Sequence, residues 1–450
     1  MGDASKVFKA YDIRGNVPDQ LDADLCRRIG AAFARFTNEG ESSAQRVLVA
    51  RDMRPSGEEL SDAFADGVQS QGVDVTDLGL ASTDLVYFAA GKLDAPGAMF
   101  TASHNPARYN GIKLCLSGAS PVGQDSGLDE IRAMIEEGAE EGAEEPGGRD
   151  SVDMLDTFAD HVRSFVDASS LRPLKVIADT ANGMGGLVVP AVCDGLPFDL
   201  EVLFPDRDGT FPNHPPDTIQ PENQRQLQER VLETGADIGL AFDGDADRVF
   251  LVDEKAQLLS GSLTTGIVAS GILAKNPGAK VIHNLICSRA VPEIIREAGG
   301  EPLRSRVGHS FIKGLMAKTG AIFGGEHSGH YYFRDNYRAD SGLIAALVVL
   351  EQLSVAGVPL SELRQPFERY AASGEINTEV DDPLAIIDKV AESYDDRPQD
   401  RVDGLTVDCG DWWFNLRPSN TEPLLRLNLE APTEDEVATR VAEVQALMEG

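Results

Sequence analysis

The sequence predicts an α/β fold in which three α/β domains with mixed, mainly parallel sheets precede a smaller C-terminal α+β domain, all arranged around a central cleft. Its 450 residues are too many for one hydrophobic core, since single domains usually hold about 100–200 residues. Short β-branched runs alternate with helical patterns, as in 47–50 followed by 58–71, which is typical of α/β units. From residue 405 neighbouring apolar strands precede one last helix.

The domain boundaries follow from composition. The run 136–148 is acidic, rich in glycine and without helical or strand periodicity, so it predicts a surface connection after the first domain. New α/β series begin near residues 174 and 261, and the third series ends near residue 368. We therefore expect four domains, at residues 1–148, 149–253, 254–368 and 369–450.

The charge balance is strongly acidic. The chain has 74 acidic against 40 basic side chains, a net charge of −34, which argues against nucleic acid or an anionic membrane as a partner. Only 11 of the basic residues are lysines, and the acidic residues are spread along the whole chain. This pattern favours a halophilic surface whose self-repulsion is screened by salt, with an ordinary acidic protein as the alternative.

Cysteines and the first residues bear on the compartment. The five cysteines are widely spaced without a C-x-x-C pair, so we expect small core residues rather than disulfides or a thiolate metal site. The first ten residues lack the basic and apolar parts of a secretory signal, and no apolar tract is long enough to span a bilayer. These features predict a soluble, cytoplasmic protein.

Four polar loops each follow a probable strand, at the sheet edge where α/β proteins bind ligands. The first reads Thr-Ala-Ser-His-Asn-Pro at 101–106, with small residues around Ser103 and with Pro106 ending regular structure. Ser103 is therefore a candidate nucleophile. By itself the same pattern also fits a turn or a helix cap.

The second loop, Asp-Gly-Asp-Ala-Asp-Arg at 243–248, lies between two apolar strands. Its three carboxylates would repel one another by about 4 kcal/mol per pair at 4 Å and an effective dielectric constant near 20, unless a cation lies among them. An all-oxygen ligand set favours magnesium over zinc. The final Glu of an EF-hand loop is missing, and a solvated acidic turn is the alternative.

The third and fourth loops suit a sugar and a phosphate. The third reads Gly-Gly-Glu-His-Ser-Gly-His at 324–330, where glycines allow close approach and Glu326 and Ser328 suit sugar hydroxyls. The fourth, at 417–422, combines a guanidinium with hydroxyl and amide donors that suit a phosphate dianion. Its donors are Arg417, Ser419, Asn420 and Thr421. Either loop alone is weak evidence.

In this order, the four loops resemble those of the α-D-phosphohexomutase superfamily, whose members share a phosphoserine loop, a metal loop, a sugar-binding loop and a distal phosphate loop. The resemblance covers essentially the whole chain. Further matching motifs lie at 11–15, 110–113, 179–186, 211–214 and 308–310. The stretch 324–335 resembles the phosphomannomutase/phosphoglucomutase group, while glucosamine-type members more often carry Gln at the position of His327.

The resemblance implies a role for each loop and for its domain. The first domain would hold the phosphoserine, the second the metal, the third the sugar and the fourth the distal phosphate. One Mg²⁺ per chain would bind Ser103, Asp243, Asp245 and Asp247. Catalysis would involve Ser103, Lys113, Arg14, Arg248, His309 and His330. Substrate would bind Glu326, Ser328, Arg417, Ser419, Asn420 and Thr421. The chain departs from its relatives at 284–288, where Cys287 and Ser288 replace a basic pattern and leave one contact unassigned.

The implied activity is interconversion of hexose 1-phosphate and hexose 6-phosphate, of mannose or glucose, with hexose 1,6-bisphosphate as intermediate and activator. We expect small sugar phosphates as partners, and a monomer or weak homo-oligomer. Phosphoglucosamine mutase is one alternative, because sugar epimers differ by one hydroxyl. A metal-dependent sugar phosphatase and a non-catalytic sugar-phosphate sensor are the alternatives of other classes.

Overall fold

The computed structural model describes residues 4–38, 44–138, 142–418 and 424–449, and it confirms the predicted fold class. Three α/β domains are followed by a smaller domain with an antiparallel sheet. The helices are α1 (Ala4–Val7), α2 (Ala23–Asn38), α3 (Gly57–Ser70), α4 (Thr83–Lys92), α5 (Leu128–Glu137), α6 (Leu155–Arg163), α7 (Gly185–Cys193), α8 (Arg225–Thr234), α9 (Gly261–Lys275), α10 (Ala290–Glu297), α11 (His309–Thr319), α12 (Gly342–Ala356), α13 (Leu360–Leu363), α14 (Pro383–Ser393) and α15 (Glu434–Glu449).

The first two sheets are mixed. The first contains β1 (Ile13–Asn16), β2 (Arg46–Arg51), β3 (Asp74–Leu80), β4 (Gly97–Phe100), β5 (Tyr109–Leu116), β6 (Ser120–Pro121) and β7 (Arg149–Ser151), in the order β1-β5-β4-β2-β3-β7 with β6 on β5. The second contains β8 (Leu174–Asp179), β9 (Phe198–Leu203), β10 (Ile238–Phe242), β11 (Val249–Asp253) and β12 (Leu258–Leu259), in the order β12-β11-β10-β8-β9. In both, the buried parallel strands end at the edge that carries a polar loop.

The third sheet is mixed and the fourth is antiparallel. The third contains β13 (Lys280–Asn284), β14 (Glu301–Ser305), β15 (Phe323–Gly325) and β16 (Tyr331–Phe333), in the order β14-β13-β15-β16. The fourth contains β17 (Ala371–Glu379), β18 (Gln399–Asp400), β19 (Leu405–Asp408), β20 (Trp413–Pro418) and β21 (Leu424–Ala431), in the order β17-β21-β20-β19-β18. Helices α14 and α15 pack on this sheet and complete the α+β domain.

Two strands cross the predicted domain boundaries. β7 follows residue 148 but pairs in parallel with β3, so the first sheet extends past the predicted end of its domain. β12 follows residue 253 but pairs with β11, so the second sheet also continues past its predicted end. Both strands are short and β7 is exposed, so neither has the apolar pattern that marks a strand in a sequence.

Apolar packing joins the first three domains and leaves the fourth separate. One continuous core contains residues from β2 and α4 of the first domain, β8 and α7 of the second, and α9 and α12 of the third. The fourth domain has a core of its own, built around Phe414 and Leu427. Polar contacts attach it to the third domain: Arg289 N donates to Glu430 Oε1 at 3.0 Å, and Arg304 pairs with Asp400. The site is thus assembled from a rigid three-domain unit and a separately folded fourth domain.

Three of the five cysteines are the small core residues that the sequence predicts, and Cys193 and Cys409 are half-buried. All five cysteines are free, with Cys26, Cys115 and Cys287 buried.

Within the described ranges, no single helix is long and apolar enough to cross a membrane. One bent pair, Gly342–Ala356 with Leu360–Phe367, meets the length and composition test only when its two parts are joined across a 92° bend.

Helices α2 and α3 approach so closely that glycine is required at their crossing. A Cβ atom on Gly67 would lie 2.0 Å from the carbonyl oxygen of Arg27, and one on Gly30 would lie 2.1 Å from that of Phe64. Backbone atoms cannot move aside as a flexible side chain would. By contrast, nothing lies within 4 Å of the corresponding position at Gly314 in α11.

We predict that Gly67→Ala and Gly314→Ala have opposite effects on stability. Gly67→Ala should lower the free energy of unfolding by about 1–3 kcal/mol, because it forces the helices apart. Gly314→Ala should raise it by about 0.5–1 kcal/mol, because alanine loses less backbone entropy in a helix. Differential scanning calorimetry of both variants measures these changes. Shifts in Tm of the same sign and size would contradict the close packing of α2 against α3.

Candidate active site

Ser103 lies in a strained and buried loop after β4. Its backbone φ is +50°, in the left-handed region, and the side chain is 1% exposed. A non-glycine residue in this conformation costs on the order of 1–3 kcal/mol, so surrounding contacts must maintain it. One such contact is the hydrogen bond from Ser103 N to Thr101 Oγ1, 2.9 Å. The loop therefore presents the Ser103 hydroxyl in one fixed direction.

The three aspartates of the second domain form a buried cluster directly beside this hydroxyl. Asp243, Asp245 and Asp247 are at most 1% exposed, and one carboxylate oxygen from each lies within 4.8 Å of the others. Ser103 Oγ donates to Asp243 Oδ2 at 2.8 Å. Burial, followed by repulsion from the other two carboxylates, raises the pKa of Asp243 well above its ordinary value. The negative charge of the cluster is therefore only partly compensated.

Two orphaned oxygens show that a metal ion fits this cluster. Asp245 Oδ1 and Asp247 Oδ1 are buried, and neither has a hydrogen-bond partner in the part of the chain that the structure describes. Unpaired buried carboxylate oxygens are costly unless a cation binds them. Together with Asp243 and the Ser103 hydroxyl they supply only oxygen ligands, the donor set of a hard cation.

Two of the predicted cationic side chains, Lys113 and Arg248, lie against the aspartates. Lys113 on β5 donates from Nζ to Asp245 Oδ2 at 2.8 Å and to Asp247 Oδ2 at 2.6 Å. Burial by itself lowers the pKa of Lys113, but these carboxylates raise it well above its ordinary value. Arg248 Nη2 donates to Ser103 Oγ at 3.2 Å, and its Nε lies 3.3 Å from Asp243 Oδ2. Arg248 thus contacts both the serine and a carboxylate.

Glycines allow the two loops to touch. A Cβ on Gly244 would lie 2.6 Å from the carbonyl oxygen of Ser103, and one on Gly183 would lie 2.5 Å from the carbonyl oxygen of Gly244. The first residues of α4 approach from the other side, where Thr83 Oγ1 donates to Asp245 Oδ2 at 2.6 Å. The serine and metal loops are therefore fixed to each other through their backbones.

Arg14 and His104 complete the surroundings of the serine. Arg14 donates to Asn105 Oδ1 at 2.5 Å and also pairs with Asp12. His104 Nδ1 lies 2.6 Å from Arg248 Nη2, so it accepts a hydrogen bond from the guanidinium and the ring is neutral. Burial, then the charges of Arg248 and Arg14, lowers the pKa of His104 well below its ordinary value. Arg14 thus approaches the serine loop from β1, although it does not contact Ser103 itself.

The two predicted histidines occupy different surroundings. His330 Nδ1 lies 2.8 Å from Asp340 Oδ2 and 3.9 Å from Asp247 Oδ1, so His330 is close to the metal loop. Lys313 Nζ pairs with the other oxygen of Asp340 at 3.0 Å. His309 begins α11, and its ring meets the Tyr11 ring edge-on at 5.3 Å. Burial, then Lys313, lowers the pKa of His309 to about 3, so His309 is neutral.

In the third loop, Glu326 is anchored and Ser328 is half-exposed. Glu326 Oε1 accepts from Gly308 N at 3.0 Å and from Asn284 Nδ2 at 3.2 Å, and Oε2 accepts from Tyr332 Oη at 2.9 Å. Each carboxylate oxygen can accept more than one hydrogen bond, so the anchored group can still meet a ligand. These contacts hold the third loop against Gly308, the residue that precedes α11.

Residues 284–288, where the sequence departs from the pattern of its relatives, make contacts within the third domain. Asn284 bonds Glu326, Cys287 is buried, and Ser288 N donates to Ser262 Oγ at 3.1 Å. The next basic residue, Arg289, instead contacts Asp408 and Gly410 of the fourth domain. This loop therefore contributes no basic side chain to the site.

The distal phosphate loop is described only in part. Arg417 lies near the end of β20, where its Nη2 donates to Glu375 Oε2 at 2.8 Å. The other predicted members, Ser419, Asn420 and Thr421, lie outside the described residues. The fourth domain meets the third near His309, because Val307 N donates to Asp403 Oδ2 at 3.2 Å. Arg417 is therefore not in contact with the serine and metal loops.

Two buried residues beneath the serine loop have no counterpart in the prediction. Arg54 and Asp52 are bonded to each other, with Arg54 Nε 3.2 Å from Asp52 Oδ2. Arg54 also donates to four backbone carbonyl oxygens, three in the serine loop and one at Tyr109, the first residue of β5. The only signal in the sequence is an Arg-Asp-Met-Arg-Pro run at the end of β2, where charged residues follow a buried strand. Thr83 and Asp340 were also missed, because only the fold brings them to their partners.

The 179–186 and 211–214 motifs meet in the second domain. His214 Nδ1 lies 2.8 Å from the carbonyl oxygen of Pro215, and Nε2 lies 3.0 Å from Asp179 Oδ2. Both partners are acceptors, so both ring nitrogens carry protons and the ring is an imidazolium. Burial lowers the pKa of His214, but hydrogen bonding to the Asp179 carboxylate raises it more, and the net shift is upward.

The solved structures that this chain resembles define its class. One is a phosphoglucomutase/phosphomannomutase family protein from Burkholderia thailandensis, with a TM-score of 0.91, 33% sequence identity, and coverage of 100% of this chain and 98% of that chain. Another is a putative phosphomannomutase from Thermus thermophilus, with a TM-score of 0.84 and 22% identity, covering 98% and 99% of the two chains. The fold is therefore that of a phosphohexomutase.

Family models and relatives give the particular family. Four domain models of phosphoglucomutase/phosphomannomutase match in order: domain I at 5–142, domain II at 156–257, domain III at 260–370 and the C-terminal domain at 375–447. Phosphohexose mutases of Xanthomonas campestris are 41% identical over 99% of both chains, and a phosphomannomutase of Escherichia coli K12 is 40% identical over 94% of both. The chain belongs to the phosphoglucomutase/phosphomannomutase family, and it is a phosphohexomutase.

We predict that Asp243→Asn removes metal binding without destabilising the metal-free protein. Burial and repulsion from the other two carboxylates raise the pKa of Asp243, and a neutral amide relieves this repulsion, so the metal-free Tm should be at least as high as that of the wild type. The increase in Tm that a divalent cation produces should disappear, because binding stabilises only a folded protein that has the site. Thermal unfolding with and without Mg²⁺ measures both effects.

Asp253→Asn is the matched control, since Asp253 is equally buried but pairs with Arg364 at 3.0 Å. This variant should lose stability because it removes the buried charge opposite Arg364 Nη1, yet keep the cation-dependent rise in Tm. The same loss of stability in both variants would show that the aspartate cluster is only structural.

We predict that His214 stabilises the protein more at low pH than at high pH. The pKa of His214 in the folded protein is raised above its unfolded value of about 6.5, so its contribution to the free energy of unfolding is fully present below that pH. The contribution is lost as the pH rises through the folded pKa. The difference in Tm between wild type and His214→Gln should therefore shrink from pH 6 to pH 9. A difference that grows with pH would contradict the imidazolium assignment.

Proposed function

We propose that this enzyme interconverts hexose 1-phosphate and hexose 6-phosphate by lending a phosphoryl group from Ser103. The single observation that carries this proposal is the position of the Ser103 hydroxyl, which contacts Asp243 at 2.8 Å and Arg248 at 3.2 Å. It lies where a metal site, a guanidinium and a lysine meet. A phosphoryl group there would be bound by cations on several sides, as phosphoryl transfer requires.

The metal in this proposal is one Mg²⁺ per chain. It would be held by Asp243, Asp245 and Asp247 together with an oxygen of Ser103, because all these donors are hard oxygens. Two of the carboxylate oxygens also have no hydrogen-bond partner among the described residues. When bound, it would neutralise charge on the transferring phosphoryl group. The other steps depend on the side chains of the protein.

Lys113 and Arg248 supply most of the remaining positive charge. A phosphoserine carries about −1.5 to −2 and three aspartates carry −3, so a single divalent ion leaves the site near −3. Lys113 is already bound to two of the carboxylates, and Arg248 reaches the serine oxygen that carries the phosphoryl group. Arg14 would orient the loop through Asn105. Positioning and electrostatics then account for most of the catalysis.

A proton must leave the sugar hydroxyl that accepts the phosphoryl group. His330 is oriented by Asp340 beside the metal loop, and His309 lies at the start of α11, so these two side chains are the groups that would accept the proton or contact the substrate. Glu326 and Ser328 would bind the sugar hydroxyls. The distal phosphate would bind Arg417, Ser419, Asn420 and Thr421.

The catalytic cycle that we propose has two transfers. The Ser103 Oγ–P bond breaks as the free hydroxyl of the sugar attacks, and the product is a bound hexose 1,6-bisphosphate. The bisphosphate then returns its other phosphoryl group to Ser103, which restores the enzyme and releases the isomeric monophosphate. Added hexose 1,6-bisphosphate should therefore activate enzyme that has lost its phosphoryl group. The distal loop would keep the intermediate bound between the two transfers.

The sugar and the surroundings of the enzyme are also proposals. Relatives named phosphomannomutase favour mannose and glucose phosphates over glucosamine phosphate, and a phosphatase would not need a distal phosphate loop. We also propose a cytoplasmic, halophilic enzyme, monomeric or weakly associated, without nucleic acid or membrane partners. The net charge of −34 supports this part of the proposal.

We predict that Ser103→Ala abolishes mutase activity while the fold is retained. Wild-type protein treated with glucose 1,6-bisphosphate should gain the mass of one phosphoryl group and interconvert 1- and 6-phosphates of mannose and glucose. The alanine variant should gain no mass and lose at least about 10⁴-fold in kcat, since the carrier itself is gone. Intact mass spectrometry and a coupled assay measure these effects.

Ser61→Ala is the control, because Ser61 is a buried serine of the same domain that bonds the carbonyl oxygen of Glu58 in its own helix. It should keep both phosphorylation and turnover. Stoichiometric release of inorganic phosphate by the wild type would support a phosphatase, and full activity of Ser103→Ala would contradict the proposed carrier.

A further inference from the structure

We propose that Arg54 is a positioning residue that holds the phosphoserine loop in its reactive conformation, and that Phe211 of the second domain holds Arg54 in place. This inference rests on the proposed function and adds two residues to it. Arg54 lies outside the four loops and does not contact the Ser103 hydroxyl. Its effect on the reaction would pass through the backbone of the loop.

The first observation is the set of acceptors around the Arg54 guanidinium, whose side chain is fully buried. Nη2 donates to the carbonyl oxygens of Ser103 at 2.9 Å and Asn105 at 2.7 Å. Nη1 donates to those of Pro106 and Tyr109, both at 2.9 Å. One planar group therefore binds four carbonyl oxygens between residues 103 and 109. Only arginine offers enough donors in a rigid plane for this arrangement.

The second observation is the conformation that these bonds maintain. Ser103 has a φ of +50°, which an unconstrained serine rarely adopts, and Arg54 binds the carbonyl oxygen of that residue. A change in the φ of Ser103 would move this carbonyl oxygen away from Arg54 and the hydroxyl away from Asp243 and Arg248. Arg54 thus restrains the backbone that carries the hydroxyl, although the hydroxyl itself bonds other residues.

The third observation is that the second domain fixes Arg54. The ring of Phe211 stacks on the guanidinium at 5.1 Å, and a Cβ on Gly209 would lie 2.5 Å from the Cα of Arg54. The segment that carries Phe211 is tied to Asn182, whose carbonyl oxygen accepts from Asp208 N at 2.9 Å. The serine loop is therefore fixed by the same domain that supplies the aspartates.

The test compares Arg54→Lys with a matched control, Arg163→Lys. Arg163 also donates to backbone carbonyl oxygens, those of Ala191 at 2.7 Å and Val192 at 3.3 Å, but these belong to α7 and not to the serine loop. Lysine keeps the charge in both variants and loses the planar set of donors. The measurements are kcat, KM for glucose 1-phosphate, Tm, and hydrogen exchange of peptides over the whole chain.

For Arg54→Lys we expect kcat to fall about 100-fold while KM changes less than about threefold, because misplacement of the nucleophile by about 1 Å has effects of this size. Exchange should rise in peptides covering 101–110 and remain unchanged elsewhere. Arg163→Lys should change neither kcat nor exchange in 101–110. Unchanged exchange in 101–110, or a loss of kcat that only follows a global loss of folded protein, would overturn the proposal.

Phe211→Leu keeps the test decisive if Arg54→Lys fails to fold. It leaves the arginine in place and removes the stacking, so kcat should fall about threefold to tenfold and exchange should rise in 101–110. If Phe211→Leu has the same kcat and the same exchange in 101–110 as the wild type, the proposal is overturned. If the wild type has no mutase activity, the proposed function fails, while the exchange data still decide whether Arg54 and Phe211 hold the loop.

Discussion

The structure depends on one electrostatic constraint: three aspartates are buried together at the junction of the first two domains. Asp243, Asp245 and Asp247 follow a fully buried strand, and their side chains have almost no exposure to the solvent that would screen them. Like charges at 4 Å repel by about 4 kcal/mol per pair at an effective dielectric constant near 20. Lys113 and Arg248 compensate for part of this charge. A bound cation would offset the remainder and would bind the two oxygens that lack hydrogen-bond partners among the described residues.

This constraint explains how the domains are joined. The compensating lysine comes from β5 of the first domain, and the backbone of Gly244 packs against Ser103 without space for a side chain. The first three domains share one apolar core, which keeps these distances short. The fourth domain has a separate core and reaches the site through polar contacts such as Val307 with Asp403. The phosphoryl transfer that we propose would thus take place in the part with one shared core, and the predicted distal phosphate loop belongs to the domain with a core of its own.

The sequence was informative where chemistry is local. Asp243, Asp245 and Asp247 are two residues apart between apolar strands, so their cluster could be recognised without a fold, and the four-domain α/β architecture followed from periodicity. Arg54, Thr83 and Asp340 could not be found in this way. The first two act on residues far away along the chain or in another domain, and Asp340 orients a histidine only after folding. β7 and β12 were missed because short strands at a sheet edge lack an apolar repeat.

The most direct test of this account is the position of a divalent cation. Crystals soaked in Mn²⁺, a close substitute for Mg²⁺ at oxygen sites, give an anomalous signal that marks the ion. We expect one strong peak among the carboxylates of Asp243, Asp245 and Asp247 and next to Ser103 Oγ. No peak there, or a peak instead between Asp247, His330 and Asp340, whose ligand atoms also lie within 4.8 Å of one another, would contradict the account.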